Sequence, residues 1–488
     1  MIPVLRPKVE LLSRDYVEKV IGEALGLLER EGVFVENAEA RLLFREAGMP
    51  VDETTQRVRL TPHLVEDALA STPPSIRMYD RAGSREFTVG GDEVHFDPGS
   101  GAIRMLDSVT QRERKAATID VVRLTRLTDA CEHIHFQSTA LVSADVPEIV
   151  ADSYRLYLGL LYSTKPIVTG TFRTAGFKPM LDMLAAVRGG AEELRRRPLA
   201  IFDACPSPPL KWSNLTAQSL IDSARAGVPS ELISMSLTGA TSPVTLGGAL
   251  VQHTAENLSG LVICQLARKG APVIFGGSPA SFDMRKGTTP MGAMETMMID
   301  MAYAQVGKHL KLPTHAYMGL SDAKIQDAQS GFETGMGAVL AALAGINVVS
   351  GVGMLDFEGT QSLEKLLIDN DICGMAYRLL DGVAQRDEPL AAHLFDGIRP
   401  DTQFLTMRHT RKWYRIEHRM ANLADRDTYD AWEAAGRTSI GDRAVEQART
   451  MLAALPPNLP DPALQKELRE IMGADARSNG GAGLPDLP

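Results

Sequence analysis

A histidine and a tyrosine stand two positions apart in residues 314–322 (THAYMGLSD), where a short apolar run ends in small residues. Alternate residues of a β-strand face the same side, so His315 and Tyr317 are expected to reach one site. A histidine at the end of a strand, in a rim of small residues, is a candidate functional group. The alternative for His315 is a histidine packed in the core.

Two other positions in the sequence are candidates for a functional site. His133 and His135 form a His-x-His pattern, which metal-dependent hydrolases use on barrel strands, but the pair stands at the start of its run. Packing is therefore favoured over metal ligation, and no metal site is expected. Cys205 ends another run, yet no histidine neighbours it in sequence to form a thiolate, so a small buried side chain is the better interpretation.

The elements that carry these residues alternate regularly. Eight short apolar runs each precede a helical stretch of about 9 to 20 residues, a pattern typical of a parallel sheet. The apolar runs are residues 94–97, 134–139, 166–171, 200–204, 232–236, 272–276, 314–318 and 347–351. The helical stretches are 121–132, 151–162, 179–187, 215–226, 250–269, 293–310, 332–344 and 363–380.

Eight such units predict an α/β fold, a TIM (β/α)8 barrel over residues 93–382. An open doubly wound sheet is the alternative, but DPGSG after the first run is not its usual Gly-rich fingerprint. Residues 1–92 are expected to form an extension of helices and a hairpin that turns at Gly90–Gly91. Residues 383–488 are expected to be helical, with a loose tail from ARSNGGAGLPDLP.

Composition excludes several classes of protein. The 488 residues carry 51 Lys and Arg against 61 Asp and Glu, which disfavours binding to nucleic acid or to an anionic membrane. Four cysteines without CxxC spacing indicate neither a disulfide framework nor a zinc motif. No apolar stretch reaches the roughly 18 residues of a membrane span, and a cytoplasmic enzyme is expected.

The strand ends that would form the rim of this barrel are small, hydroxylated and poor in charge. Several His, Asp or Glu side chains must converge to hold a metal ion, and this rim does not offer them. It suits a cavity whose reactivity comes from a cofactor instead. The strand ends are DPGS at 97–100, QST at 137–139, TGTF at 169–172, FDAC at 202–205, SLTG at 236–239, FGGS at 275–278, HAY at 315–317 and SGVG at 350–353.

Long motifs resemble the trimethylamine methyltransferase (MttB) family. They are residues 236–266 (SLTGATSPVTLGGALVQHTAENLSGLVICQL), residues 274–355, residues 31–52 (EGVFVENAEARLLFREAGMPVD) and residues 409–436 (HTRKWYRIEHRMANLADRDTYDAWEAAG). The resemblance covers almost the whole chain. It implies a TIM barrel that moves a methyl group from a methylamine to the Co(I) corrinoid of a separate small protein. It also implies a homo-oligomer with no cofactor held tightly by this chain.

One departure from the family changes the expected substrate. The archetype has pyrrolysine in the region that resembles residues 327–333, where this chain has DAQSGFE, with Ser330 the nearest equivalent. Family members without pyrrolysine are associated with quaternary amines, glycine betaine foremost. A quaternary ammonium leaves as a neutral tertiary amine, so the transfer requires alignment and desolvation but no proton.

The resemblance then assigns roles to side chains near the strand ends. His315, Gln329 and Glu333 are expected to be catalytic, with Asp203 adding negative potential. Aromatic walls for the cation are expected among Tyr317, Phe136, Phe172, Phe202 and Phe275, although each could instead fill the core. Gln329 and Glu333 could also cap a helix. A betaine carboxylate would require His315, Arg173 or backbone N–H groups. The basic patch 408–419 is expected to be a solvated or interdomain face, or else a contact for the corrinoid protein.

The sequence therefore predicts a methyltransferase that demethylates a quaternary amine, glycine betaine first, and passes the methyl group to a corrinoid protein. A further enzyme would unload it, to tetrahydrofolate. Two rival hypotheses are a metal-dependent barrel hydrolase and a non-catalytic betaine-binding barrel.

Overall fold

A computed structural model describes residues 3–480, 483–485 and 487. Between residues 3 and 92 the elements are α1 (Arg14–Arg30), β1 (Val33–Val35), α2 (Ala38–Glu46), β2 (Val51–Asp52), β3 (Arg57–Val58), α3 (Pro62–Ser71), β4 (Ser75–Tyr79) and β5 (Glu86–Gly90). Helices α1 and α3 each begin after a residue that caps the helix. Ser13 accepts a hydrogen bond from the Tyr16 N–H at α1, and Thr61 precedes Pro62 at α3.

The predicted hairpin around Gly90–Gly91 is wrong in its partner. Strand β5 pairs antiparallel with β4, through Ser75–Gly90 and Tyr79–Glu86, and not with the residues that follow Gly91. Residues 95–97 instead pair in parallel with residues 348–350. The alternating pattern of the two neighbouring segments gave no information on which partner each would take.

The central region alternates strands and helices. Its elements are β6 (His95–Asp97), β7 (Arg104–Leu106), β8 (Glu113–Lys115), α4 (Thr118–Ala130), β9 (Gln137–Ser138), α5 (Ala151–Tyr162), β10 (Ile167–Thr169), α6 (Phe177–Arg188), α7 (Ala191–Arg196), β11 (Ala200–Ala204), β12 (Lys211–Trp212), α8 (Asn214–Ala226), β13 (Ser230–Ser234), β14 (Leu237–Thr238), α9 (Leu246–Ala267), β15 (Val273–Gly277), β16 (Ala280–Ser281), α10 (Met294–His309), β17 (His315–Tyr317), α11 (Ala328–Ala344), β18 (Val348–Ser350), β19 (Met354–Leu355), β20 (Thr360–Gln361) and α12 (Leu363–Leu380).

Eight of these strands pair in parallel, as the sequence predicted. One sheet has the order β15-β13-β11-β10-β9 and another the order β17-β18-β6. A parallel bridge between Phe275 and Thr314 joins the two sheets on one side. On the other side the Phe136 N–H donates to the Phe96 carbonyl at 3.2 Å.

An apolar cluster fills the space between these strands at their amino ends. Phe136, Val168, Ile201, Ile274 and Val348 pack there against the inner face of the β4–β5 hairpin, which supplies Ile76, Met78, Phe87 and Val89. The amino-terminal hairpin therefore acts as a floor, and the polar side chains lie nearer the carboxyl ends of the strands.

Two details differ from the predicted elements. The fifth strand runs over Ser230–Ser234 and not over residues 232–236, which brings Glu231 into the sheet. Short antiparallel pairs that the sequence did not indicate, β7 with β8 and β19 with β20, follow the first and eighth strands. They extend beyond the strand ends because a parallel strand must leave the sheet before its helix begins.

The remaining helices are α13 (Arg408–Glu417), α14 (Tyr429–Ala434), α15 (Ile440–Ala454) and α16 (Pro462–Ser478). Helix α15 packs on α12 and α4, and α16 packs on α5 and α6. The predicted loose tail is wrong for Ala476–Ser478, which complete α16; residues 481, 482, 486 and 488 lie outside the described part. No helix within the described residues has the length and apolarity to cross a membrane.

Asn347 is the polar residue that ties the amino ends of three strands together. Its buried side chain accepts from the Thr314 N–H and the Lys308 ammonium, both at 2.9 Å, and donates to the Glu93 carbonyl at 2.7 Å. We expect Asn347→Ala to lower the free energy of unfolding by about 2–4 kcal/mol, because several buried polar groups lose their partner. Urea denaturation measures it, with exposed Gln403→Ala as the control; a loss below about 0.5 kcal/mol would contradict this role.

Candidate active site at the carboxyl ends of the strands

Strand register brings five polar side chains to the carboxyl ends of the parallel strands. Tyr317, Ser350 and Asp97 are lateral neighbours on β17, β18 and β6. Asp203 on β11 is the lateral neighbour of Glu231 on β13. Paired positions of adjacent strands face the same side of a sheet, so each set presents its side chains together.

His315, Ser350 and Asp97 form a buried hydrogen-bonded chain. The Ser350 hydroxyl donates to Asp97 Oδ2 at 2.7 Å and lies 3.0 Å from His315 Nε2. Burial lowers the pKa of His315 to about 3, so its ring is neutral at physiological pH. With the serine proton directed at Asp97, Nε2 is the protonated nitrogen and donates to the serine oxygen. His315 is therefore a neutral donor and not a cation.

Gly276 makes room for this histidine. A Cβ atom at position 276 would lie 2.9 Å from the His315 Cβ and 3.0 Å from its Nδ1, closer than side chains tolerate. The His315 ring in turn stands edge-on to Tyr317, with ring centroids 5.2 Å apart. The glycine of the sixth strand is thus required for the position of the histidine of the seventh.

Asp203 and Glu231 form a pair of adjoining carboxyl groups, of which Glu231 is buried and Asp203 is partly buried. Within the described residues, neither Glu231 oxygen has a hydrogen-bond donor, and the Asp203 carboxyl adjoins it. Burial, reinforced by the neighbouring Asp203 carboxyl, raises the pKa of Glu231 well above its usual value, and burial raises the pKa of Asp203 to about 7. Two adjoining ionised carboxylates repel each other, so the pair retains a proton near neutral pH.

A fourth carboxyl group reaches this region from the loop between β19 and β20. Glu358 accepts a hydrogen bond from the Ser278 hydroxyl at 3.0 Å, across the strand ends, and burial raises its pKa to about 7. Asp356, Phe357 and Glu358 all have positive φ, between 52° and 71°. Non-glycine residues adopt this conformation at a cost of roughly 1–2 kcal/mol each, so tertiary contacts hold the loop in place.

Arg155 is a positive charge that interacts with Asp203. Its guanidinium donates to the Thr139 and Gly170 carbonyls at 2.9 and 3.0 Å. Burial lowers the pKa of Arg155 to about 10, so it remains charged. The ring of Phe172 covers it, 4.2 Å from the guanidinium carbon. Arg155 thus places a positive charge near Asp203, one of the four carboxyl groups.

Comparisons with known proteins identify the family of the chain. The family model for trimethylamine methyltransferase (MTTB) matches residues 2–480. The chain belongs to the trimethylamine methyltransferase family. It is 33% identical to the trimethylamine methyltransferase MttB of Desulfitobacterium hafniense (strain DSM 10664 / DCB-2), over 92% of this chain and 90% of that one. It is 29% identical to the glycine betaine methyltransferase of Desulfitobacterium hafniense (strain Y51), over 98% and 99%.

A solved structure supports the fold. The Methanosarcina barkeri monomethylamine methyltransferase (MtmB) superposes with a TM-score of 0.52 at 12% identity, over 93% of this chain and 90% of that one. The predicted family and the methyltransferase class are confirmed by these comparisons.

The structure corrects most of the aromatic walls expected for a family substrate. Phe202 and Phe275 alternate with inward-facing residues, so their rings pack outward, against Phe177 at 4.8 Å and His253 at 5.5 Å. Phe136 belongs to the floor cluster and stacks on His95 at 4.9 Å. Phe172 is half exposed near the strand ends, and Tyr317 lies among the carboxyl groups.

The residues after the seventh strand form a local network. Glu333 accepts from the Ser321 hydroxyl at 2.6 Å, the Asp322 N–H at 2.8 Å and the Gln329 amide at 2.9 Å. It therefore anchors the loop before α11, whose N-terminus is capped by Asp327 with Ser330. A catalytic role for Glu333 and Gln329 stays a prediction. The hydrogen bonds of this network already engage the Glu333 carboxylate and the Gln329 amide, which such a role would require.

The histidines considered as metal ligands lie away from the carboxyl groups of the candidate site. His135 stacks on Tyr377 and approaches His95 at the amino ends of the strands, and burial lowers its pKa to about 3. Burial of the sulfur raises the pKa of Cys205, which disfavours the thiolate. Among the described residues, no three His, Cys, Asp or Glu side chains converge to hold a metal ion.

Sequence reasoning missed Glu231, Glu358 and Arg155 and gave Asp97 no role. Glu231 was left out because the fifth run was placed two residues late. A glutamate inside the otherwise apolar and hydroxylated run SELIS was the available signal. Arg155 stood in an entirely buried helix, where a charge also indicates function or pairing. Nothing in the pattern of LDFEGT indicated that Glu358 folds back over the strand ends.

Carboxyl groups whose pKa is raised in the folded state make stability fall as pH rises. Their stabilising contribution is complete below the unfolded pKa near 4 and is lost through the folded value of about 7 or above. We therefore expect Glu231→Gln, relative to the native chain, to gain about 1–2 kcal/mol of unfolding free energy between pH 6.5 and 8.

Urea denaturation at the two pH values measures the effect. Exposed Glu132→Gln is the control and is expected to change nothing. An equal difference between Glu231→Gln and the native chain at both pH values would show that Glu231 is already ionised at pH 6.5.

Proposed function

We propose that this chain transfers a methyl group from a quaternary amine to the Co(I) corrinoid of a separate protein. Glycine betaine is the first candidate substrate. The observation that carries the proposal is a group of four carboxyls at the carboxyl ends of the strands of a chain in this family. Asp97 and Glu231 are buried, and Asp203 and Glu358 are partly buried.

A permanent cation suits these carboxyl groups better than a proton donor would. Ammonium charge within the pocket stabilises ionised Asp203 and Glu231, which otherwise repel each other, and it offsets the cost of removing the carboxylates from water. A quaternary ammonium cannot itself donate a proton. Its binding is therefore accompanied by release of the proton that the empty carboxyl pair retains.

The reaction needs no acid or base from the chain. The leaving group of a quaternary ammonium is a neutral amine, and His315, with a pKa of about 3, is not charged to protonate it. The Co(I) corrinoid supplies the nucleophile that accepts the methyl group. The residues of this chain hold the cation at Asp203, Glu231 and Glu358, and exclude water from its methyl groups.

The region that resembles the pyrrolysine segment supports a quaternary substrate. Ser330 donates to the Asp327 carbonyl at 2.9 Å and belongs to the helix cap, so this position carries no electrophile. The names of the relatives include both trimethylamine and glycine betaine. Sequence identity near 30% does not distinguish between these two substrates, whereas the side chains of the site favour the quaternary amine.

The carboxylate of a betaine has fewer partners than its ammonium group. Arg173 is engaged by Asp475 at 2.6 Å and lies 3.7 Å from Asp152, and His315 is neutral. The sequence suggested His315, Arg173 or backbone N–H groups as partners of the betaine carboxylate. Of these three, the backbone N–H groups remain as candidate donors. The charged head group is accordingly the part of the substrate that the site recognises most strongly.

The proposal also includes the architecture of the enzyme, its assembly and its location in the cell. The eight parallel strands form a closed (β/α)8 barrel within residues 93–382, flanked by parts 1–92 and 383–488, and the corrinoid protein approaches at the carboxyl ends of the strands. The enzyme is a cytoplasmic homo-oligomer. Its four cysteines are free, which suits the reducing conditions that Co(I) requires.

The substrate class is tested with free cob(I)alamin as methyl acceptor. We expect methylcobalamin to form from a quaternary amine, in a panel of glycine betaine, carnitine, proline betaine and choline, and not detectably from trimethylamine. The absorbance change of the corrinoid measures it. Turnover of trimethylamine at an equal or higher rate would overturn the quaternary assignment, and binding without any transfer would indicate a non-catalytic barrel.

Glu358 provides a test of the site that is independent of the predicted aromatic walls. A carboxylate about 5 Å from the ammonium contributes roughly 3 kcal/mol at an effective dielectric constant of 20, part of which desolvation offsets. We therefore expect Glu358→Gln to raise the dissociation constant of the turned-over amine by about tenfold to a hundredfold. Calorimetry measures this beside exposed Glu132→Gln, and equal affinities would place the cation elsewhere.

A further inference from the structure

Residues 382–422 form a segment without a core of its own. The structure describes every residue of this segment, and none of them is buried. Helix α13 and the short turns Ala392–Phe395 and Phe404–Thr406 nevertheless give it a defined course. A folded segment of this length is stabilised chiefly by burial of apolar side chains, which this one does not achieve within the chain.

The segment exposes large apolar side chains at high density. Val383 and Leu405 are 94% and 78% exposed, and the rings of Phe395 and Phe404 contact each other at 5.4 Å while both remain open to solvent. The other exposed apolar residues of the segment are Leu390, Ile398, Ile416 and Met420. A monomeric protein rarely leaves so much apolar surface uncovered in one segment, and such a surface indicates an interface.

Contacts of the segment place it at the amino ends of the strands. Arg378, in the last turn of α12, donates to the Gly382 and Glu417 carbonyls. Tyr377, one residue earlier, donates to the Val94 carbonyl, immediately before the first strand. Arg419 lies against Gly374 and His133, which precedes the second strand. The two ends of the segment, at Gly382 and at Glu417–Arg419, are therefore anchored at the end of the molecule opposite the carboxyl groups of the candidate site.

This position decides between two possible partners. A corrinoid protein must approach the carboxyl ends of the strands, where the methyl donor is proposed to bind, so it does not cover the opposite end. The segment carries seven Lys and Arg against five Asp and Glu, whereas the whole chain has 51 against 61. The segment is therefore slightly basic on an acidic chain, and it is complementary in charge to the acidic remainder of a second copy.

We propose that residues 382–422 are the surface through which this chain associates with a second copy of itself. A stable interface buries roughly 800 Å² on each partner, from about 20–30 residues, which a segment of this length supplies. Homodimer interfaces are more apolar than the remaining surface of a protein, as this segment is. This inference rests on the proposed function in one respect, the side from which the corrinoid protein approaches.

Sedimentation equilibrium of the full chain tests the proposal without any substrate. The native chain is expected at a multiple of 52.9 kDa at micromolar concentration. Val383→Glu with Leu405→Glu is expected to weaken self-association at least tenfold, because the two side chains are the most exposed of the segment and their replacement leaves the fold intact. The matched control is Val109→Glu with Val244→Glu, which charges two exposed apolar residues near the carboxyl ends of the strands.

Several results would overturn the proposal. The native chain sedimenting at 52.9 kDa at about 50 µM would exclude self-association at useful affinity. An unchanged mass for the Val383→Glu, Leu405→Glu variant would place the interface elsewhere. If that variant kept its mass and its transfer to free cobalamin but lost transfer to the corrinoid protein, the segment would belong to that protein. Circular dichroism of the variant, with unchanged helical signal, confirms that the fold persists.

Discussion

Repulsion among buried carboxyl groups is the constraint on which the rest of this site depends. Asp203 and Glu231 stand side by side on neighbouring strands, and Asp97 and Glu358 lie within the same region. Burial disfavours the charge of each group, and proximity adds to that cost. Arg155 lies near Asp203 as a counter-charge, and the raised pKa values of about 7 for Asp97, Asp203 and Glu358 keep these groups partly protonated near neutral pH.

The architecture serves to hold these groups apart from water and close to one another. Parallel strands end at one edge, which brings side chains from distant parts of the sequence together. Small residues permit the close approach, Gly276 for His315 above all. The apolar floor built by the β4–β5 hairpin fills the opposite end, so the polar region lies toward the carboxyl ends of the strands.

The sequence predicted the alternation of strands and helices well because each unit is a local pattern. Helices α5 and α12 have the predicted bounds, and β11 does too. The site was harder to predict because it depends on register. A two-residue displacement of the fifth strand hid Glu231, and inward-facing Ile201 and Asp203 turn Phe202 outward. Side-chain direction alternates with every residue, so run boundaries alone do not determine it.

Glu358 shows the limit of local patterns more clearly. Three consecutive residues with positive φ carry its carboxyl group back over the strand ends, and no propensity favours that path for Asp356 or Phe357. The path is held by contacts from other elements, among them Lys324, which pairs with Asp356 at 3.1 Å and lies 3.9 Å from the centre of the Phe357 ring. A loop held in an unfavourable conformation to bury a charge is stabilised once that charge has a partner. Cation binding would therefore stabilise this loop as well as the carboxyl pair, which couples occupancy of the site to order at its rim.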